Sequence, residues 1–196
     1  NVEADDVIGT LTCEASRQGI DCIVSTGDKD LAQLVDGHVK LVNTMSNEVL
    51  DHAGVQAKFG VPPERIVDYL ALVGDSVDGI PGVDKVGPKT AVKWLTQYGT
   101  HDSIVEHAAD IGGAVGENLR KHLDFLPLGR KLATVVCDLQ LPFKVQELVA
   151  TPHDNATLLE LFTQLEFKTW LKELQGNGGL KPVPEKKLLT VTPVAE

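Results

Sequence analysis

The spacing of hydrophobic positions changes several times along the chain, and each change marks an element. Val7, Ile8, Leu11 and Ala15 recur at helical intervals, so an amphipathic helix is predicted over residues 5–18. Asp5 and Asp6 fall in its first turn, where carboxylates favour the helix dipole, and Gly19 supplies a stop. Residues 22–26 form a short β-branched run of the buried-strand type, and 31–35 read as a brief helix. Strands are predicted over 39–44 and 48–51, joined by a turn at Ser46-Asn47.

From about Gly54 the pattern turns helical. Residues 55–59 stop at Gly60, and Pro62-Pro63 opens a helix over 64–73 with Ile66, Val67, Leu70 and Val73 on one face. A tight connection over 79–87 contains Pro81, Gly82 and Gly87, and Pro88 begins a helix reaching about Gln97. Further helices are expected over 102–109, 116–123, 127–136 and 156–174, the last with Leu158, Leu161, Phe162, Leu165 and Leu171 as its apolar face. Strands first and helices afterwards predict an α/β sheet core over 1–78 with a helical part over 79–175. Residues 176–196 mix Gly, Pro and Lys without periodicity and read as a linker toward a following domain.

Composition narrows the picture less than charge does. With 196 residues, 42% of them hydrophobic, the chain can bury a sizeable core. Three cysteines without metal-ligand spacing fit reduced thiols and a cytoplasmic location. The opening Asn1-Val2-Glu3 suggests a fragment of a larger chain. A net charge of −10 argues against nucleic-acid binding if taken globally. It is unevenly spread, however: residues 1–30 hold seven acids against Arg17 and Lys29, while Lys85, Lys89, Lys93, Arg120, Lys121, Arg130 and Lys131 recur later.

The acids form three groups at element boundaries: Glu3, Asp5 and Asp6; Asp28 and Asp30; Asp75 and Asp78. Each alone has an ordinary explanation as a helix start, a cap or a turn. Together they make an oxygen-only set suited to Mg²⁺ or Mn²⁺. Ligands of open α/β sheets bind beyond the carboxyl ends of strands, which is where Asp28 and Asp30 fall. The segment GIPGVDKVGPKTAVKWL adds two glycine turns and a helix start, an arrangement that can take a phosphate on backbone N–H groups. Gly82, Val83, Gly87, Lys89, Thr90 and Lys93 are its candidate DNA contacts; the Walker spacing is absent. Arg130 and Lys131 read as solvated helix charges, and Trp94 and Trp170 as core.

At VEADDVIGTL, STGDKDLAQLV, FGVPPERIVDYLALVGDSVDGIPGV and GPKTA the chain resembles the 5′-nuclease domains of bacterial DNA polymerase I, within the flap endonuclease family. The likeness extends to LEFKTWL, near Leu174. It implies a PIN-like parallel-sheet core, incomplete at its N-terminus, and a helix-hairpin-helix module that grips duplex DNA and often holds K⁺. It also implies two divalent ions, Mg²⁺ or Mn²⁺, among Glu3, Asp5, Asp6, Asp28, Asp30, Asp75 and Asp78. Asp5, Asp28, Asp30 and Asp78 are then the expected catalytic acids. The family's first strand, with another metal-binding Asp, and its helical arch are not present, and Gly79 stands where the family usually carries Asn. The resemblance implies metal-dependent hydrolysis at 5′ flaps, nicks and RNA primers in replication and repair. It further implies polymerase and proofreading domains in the parent chain, in the bacterial cytoplasm at the nucleoid. Two alternatives are a non-catalytic DNA-binding fragment and a related RNase.

Overall fold

The computed structural model describes residues 2–176; the predicted linker, apart from Gly176, lies outside them. The chain divides into two compact units, one ending at Glu147 and the other starting at Leu148.

The first helix, α1 (Ala4–Arg17), has Asp5 and Asp6 in its first turn and ends with Gly19 in the left-handed region. Its most buried positions are Gly9, Thr10, Thr12 and Ala15, whereas Val7, Ile8 and Leu11 are half-buried. A close approach by residues 135–139 explains the shift. A Cβ on Gly9 would lie 2.4 Å from Val135 Cγ1 and 3.1 Å from the Val136 carbonyl. Thr10 Oγ1 donates to that carbonyl (3.3 Å) and accepts from Leu139 N–H (3.2 Å). Small and hydroxyl-bearing residues let α1 meet backbone at a distance that large apolar side chains would not allow.

Strands β1 (Cys22–Ser25), β2 (Val39–Asn43) and β3 (Glu48–Leu50) form one sheet in that order. β1 runs parallel to β2 with Val24 opposite Leu41, and β2 runs antiparallel to β3. β1 is not the fully buried strand that its apolar run suggested: Val24 is buried but Ile23 is 72% exposed. Alternation across the pleat, on a strand with one neighbour among the described residues, is the cause.

Asp51 caps the next helix, α2 (His52–Phe59), accepting from Gly54 N–H at 2.9 Å, and Gly60 closes it at φ 79°. The Pro-opened segment begins as a 3₁₀ turn, Pro63–Arg65, and continues as α3 (Ile66–Val73). A two-stranded ribbon follows, β4 (Gly74–Asp75) against β5 (Ile80–Pro81). After it come α4 (Pro88–Tyr98), α5 (His101–Glu106), α6 (Gly113–His122) and α7 (Leu126–Leu132). One hydrophobic cluster joins sheet and helices, from Val24, Val39 and Leu41 through Ile66, Leu70 and Leu72 to Trp94, Ile104, Leu119 and Leu126. Burying a leucine or isoleucine fully contributes about 1.5–3 kcal/mol, so this shared core fixes α3 and its ribbon against the sheet.

In the second unit the single helix expected over 156–174 is two, α8 (Asn155–Gln164) and α9 (Lys168–Gly176). The chain breaks at Glu166, whose φ is 55°. Phe162 and Phe167 would lie on different faces of one continuous helix. The break brings Phe167 and Phe162 to Trp170, with ring centroids 4.9 and 5.4 Å away. Trp170 is therefore not a core residue as its sequence suggested: it is half exposed within this cluster.

Candidate metal centre and nucleic-acid interface

The loop after β1 folds on its own side chains. Asp28 N–H donates to Thr26 Oγ1 and Asp30 N–H to Asp28 Oδ1, both at 2.9 Å. Gln33, in the 3₁₀ turn Asp30–Leu34, donates to the carbonyls of Asp30 (2.8 Å) and Ala133 (3.0 Å) and accepts from Val135 N–H (3.0 Å). Gln33 thus fixes the acidic loop to the chain beyond α7, a role its sequence neighbourhood did not reveal.

The ribbon delivers the third acidic group. Asp75 lies on β4 and is 4% exposed; Asp78 stands at the exposed tip. Asp75 accepts from Val77 N–H at 2.9 Å and from the Lys29 ammonium. One carboxylate oxygen each from Asp30, Asp75 and Asp78 lie within 4.8 Å of one another. Asp30 is 8% exposed, and its Oδ1 has no hydrogen-bond partner.

Electrostatics ties the remaining acids to this point. Burial, then the charges of Asp28 and Asp75, push the Asp30 carboxyl up to about 7. Burial and the charges of Asp28, Glu3, Asp78 and Asp6 also raise Asp5. Burial works against ionisation of Asp75, yet the Lys29 ammonium and the Val77 N–H hold it below the usual carboxylate range. Asp5, Asp28, Asp30, Asp75 and Asp78 therefore share one field. Glu3 and Asp6 sit at its margin, engaged in holding α1: Asp6 accepts from Glu3 N–H at 3.4 Å and from Val136 N–H at 3.0 Å.

The donor set fits a hard divalent cation. It consists of carboxylate oxygens only, Asp30 among them carries a buried oxygen without a partner, and an acid whose ionisation is opposed by burial and by neighbouring charges is stabilised in its ionised form by a bound cation.

The glycine turns serve two purposes. Gly82 supports packing: a Cβ there would lie 2.2 Å from the Val73 carbonyl. Val83 is 2% exposed and its N–H donates to Leu72 O at 2.9 Å, so neither side chain nor amide is available to a phosphate. Gly87 differs, capping α4 with open space around it. Lys89 and Lys93 are exposed and Thr90 is half-buried, although its N–H returns to Gly87 O (3.0 Å). Lys85 is also exposed, at φ 63° in a turn closed by Val86 N–H to Val83 O (2.9 Å). Its charge and its place in the 79–87 connection were visible in sequence, but its left-handed backbone was not.

Arg130 is not simply a solvated charge. It donates from Nε to Asp68 Oδ1 at 3.0 Å, and Asp68, 2% exposed, also accepts from His101 N–H at 3.2 Å. This pair links α3, α5 and α7 behind the ribbon.

Two family models match adjoining stretches: the 5′-3′ exonuclease N-terminal resolvase-like domain over residues 1–60, and the 5′-3′ exonuclease C-terminal SAM fold over residues 61–156. DNA polymerase I of Pseudomonas aeruginosa is 45% identical over 181 residues, 88% of this chain and 20% of that protein. The 5′-3′ exonuclease of Aquifex aeolicus is 39% identical over 172 residues, 88% of this chain and 58% of that one. The chain thus spans about a fifth of the polymerase and under two thirds of the shorter exonuclease. T5 5′-exonuclease with bound divalent metal ions (zinc) superposes with a TM-score of 0.63 at 20% identity, covering 67% of this chain and 49% of that one. The T5 D15 flap endonuclease in a complex with DNA and metal ions gives the same score at 19% identity, with the same coverage of both chains. The T5 likenesses bear on the fold, a mixed sheet followed by helices.

Proposed function

This chain belongs to the 5′-3′ exonuclease family, and on that premise we propose that it is the structure-specific 5′-nuclease part of a DNA polymerase I. The reaction is hydrolysis of DNA or RNA-primer phosphodiesters at 5′ flaps and nicks, in the bacterial cytoplasm. The observation that carries this reading is the convergence of carboxylate oxygens from Asp30, Asp75 and Asp78 within 4.8 Å of one another, at an acid, Asp30, that has a buried oxygen without a partner. The complexes of the T5 relatives with divalent metal ions and with DNA support it.

Asp30, Asp75 and Asp78 would hold one Mg²⁺ or Mn²⁺, and Asp5 and Asp28, with Glu3 and Asp6 at the margin, would complete the field for a second. When bound, such ions activate water and offset charge on the phosphodiester. The protein's own part is to position and to hold. Gln33 fixes the Asp30 backbone, the β4–β5 ribbon fixes Asp75, and Lys29 supplies a cation inside the cluster. Past the ribbon, Gly87, Lys89, Thr90 and Lys93 would take the duplex backbone, reading phosphates and not bases. A K⁺ ion at that turn belongs to the same reading.

The test is cleavage of a 5′-flapped duplex by the full-length protein with Mg²⁺. Cleavage that is lost with a chelator and in Asp28→Ala supports the nuclease. Flap binding without cleavage would assign a DNA-binding module instead, and preferential cleavage of single-stranded RNA would assign an RNase.

A further inference from the structure

The acidic cluster carries its own cation. Lys29 lies between Asp28 and Asp30 in sequence, and its ammonium is paired with Asp75, one of the three acids whose oxygens converge. The charges acting on Lys29 are, in order, those of Asp75, Asp30 and Asp28. An ordinary surface lysine would direct its ammonium to water, and an exposed pair contributes little. Here the side chain turns inward onto a carboxylate that is 4% exposed while remaining 38% exposed itself, so it keeps a path to water. Asp30, with a partnerless buried oxygen, and the exposed Asp78 are left for a newcomer.

We infer that Lys29 is a tethered counter-cation that occupies the place of a divalent ion on Asp75 and must be displaced when the ion binds. The inference rests on the metal-site reading above and concerns how that site is tuned. A bound divalent ion has to share Asp75 with the ammonium or remove it, and the two positive charges repel within a cluster whose oxygens span less than 5 Å. Displacement weakens the ion's apparent affinity, because binding includes the loss of the Lys29–Asp75 pair. Without the ion, Lys29 limits repulsion among Asp28, Asp30 and Asp75 and keeps the β1 loop against the ribbon. The device trades affinity for order in the ion-free state, so the site stays shaped before the metal arrives.

The test is calorimetric titration of the full-length protein with Mn²⁺, using wild type, Lys29→Met and Lys29→Arg, together with melting curves in chelator and at saturating Mn²⁺. Lys29→Met retains the stem but not the charge. It is expected to bind its tightest Mn²⁺ about tenfold more strongly, the order expected when a unit charge beside a divalent ion is removed at a partly exposed site. Its melting temperature in chelator should fall below wild type, whereas the two should coincide at saturating Mn²⁺. Lys29→Arg should keep wild-type affinity. Unchanged or weaker Mn²⁺ binding by a folded Lys29→Met, or a melting deficit equal in both conditions, overturns the inference. Absence of Mn²⁺ binding by wild type would instead overturn the metal-site reading, and the inference with it.

Discussion

Gly74 and Gly82 lie back to back across the β4–β5 ribbon, closer than any side chain permits. A Cβ on Gly74 would sit 2.2 Å from Gly82 N, and one on Gly82 would sit 2.5 Å from Gly74 N. Gly74 also has φ 81°, a region that L residues avoid. The ribbon positions Asp75 immediately after Gly74, so glycine packing and acid placement are one feature.

Gly82→Ala should therefore displace the ribbon. The obstacle is backbone, the Val73 carbonyl at the end of α3 and then Gly74 N, which cannot swing aside, and overpacking of this kind costs about 1–3 kcal/mol or more. Flap cleavage should fall at least as far as stability, because Asp75 moves with the strand. Gly79→Asn is the contrasting case: Gly79 has φ 69° with open space around it, and Asn tolerates that conformation. Melting curves and flap cleavage of the two variants should separate clearly, with Gly79→Asn near wild type.

Asp68 and Arg130 predict a large stability effect without direct chemistry. Arg130→Ala leaves a carboxylate that is 2% exposed with His101 N–H as its remaining close donor and Arg65 at 3.9 Å. Arg130 itself is 45% exposed, so the loss is that of leaving a buried acceptor short of a donor, about 1–3 kcal/mol. Arg130→Ala paired with Asp68→Asn should recover part of that loss. A double-mutant cycle by denaturant unfolding measures the coupling, and near-additive losses would contradict it.

The sequence carried the acids and the hairpin better than it carried their supports. Asp28 and Asp30 were legible because a strand-like run ends just before them, and strand ends point residues at one place. Asp6 read only as a site acid, because its second engagement, the Val136 N–H, lies 130 residues away in sequence. Gly82 read as a phosphate contact because local pattern cannot separate close approach to a ligand from close approach to Val73. Lys29 counted only as a charge, and nothing local shows that it turns inward onto Asp75. The break at Glu166 did leave a trace in the sequence: Leu158, Leu161, Phe162 and Leu165 share one helical face, whereas Phe167, Trp170 and Leu171 would fall on the opposite one.

Asp30 sets a pH dependence whose sign follows from its surroundings. Its carboxyl is pushed up to about 7 in the folded chain, against about 3.9 in an unfolded one. Between those values the folded state keeps a proton that the unfolded state releases. In chelator, this site's contribution therefore makes stability fall as pH rises from about 4 to about 7, and it levels off above. Asp30→Asn removes that dependence. At pH 8 in chelator it should be the more stable protein by on the order of 2 kcal/mol, or roughly 4–8 °C in melting temperature, while losing flap cleavage. A less stable Asp30→Asn under those conditions would contradict the account in which burial and then the charges of Asp28 and Asp75 oppose ionisation of Asp30.

Lys89 and Lys93 should act on DNA through charge alone, and salt distinguishes that from base reading. Both are exposed on α4, beyond the open turn at Gly87. Each phosphate contact contributes about 0.9 to the slope of log affinity against log salt. Lys89→Ala with Lys93→Ala should thus flatten the slope for a flapped duplex by about 1.8 and weaken binding alike for unrelated sequences. Lys58 is the control, since its ammonium is already held by Glu48 at 2.7 Å. Lys58→Ala should leave the slope unchanged. If the Lys89 and Lys93 variant kept the wild-type slope, or lost affinity for some sequences and not others, the duplex would have to be held by another face. The turn at Gly87 would then be a packing feature, as the one at Gly82 already is.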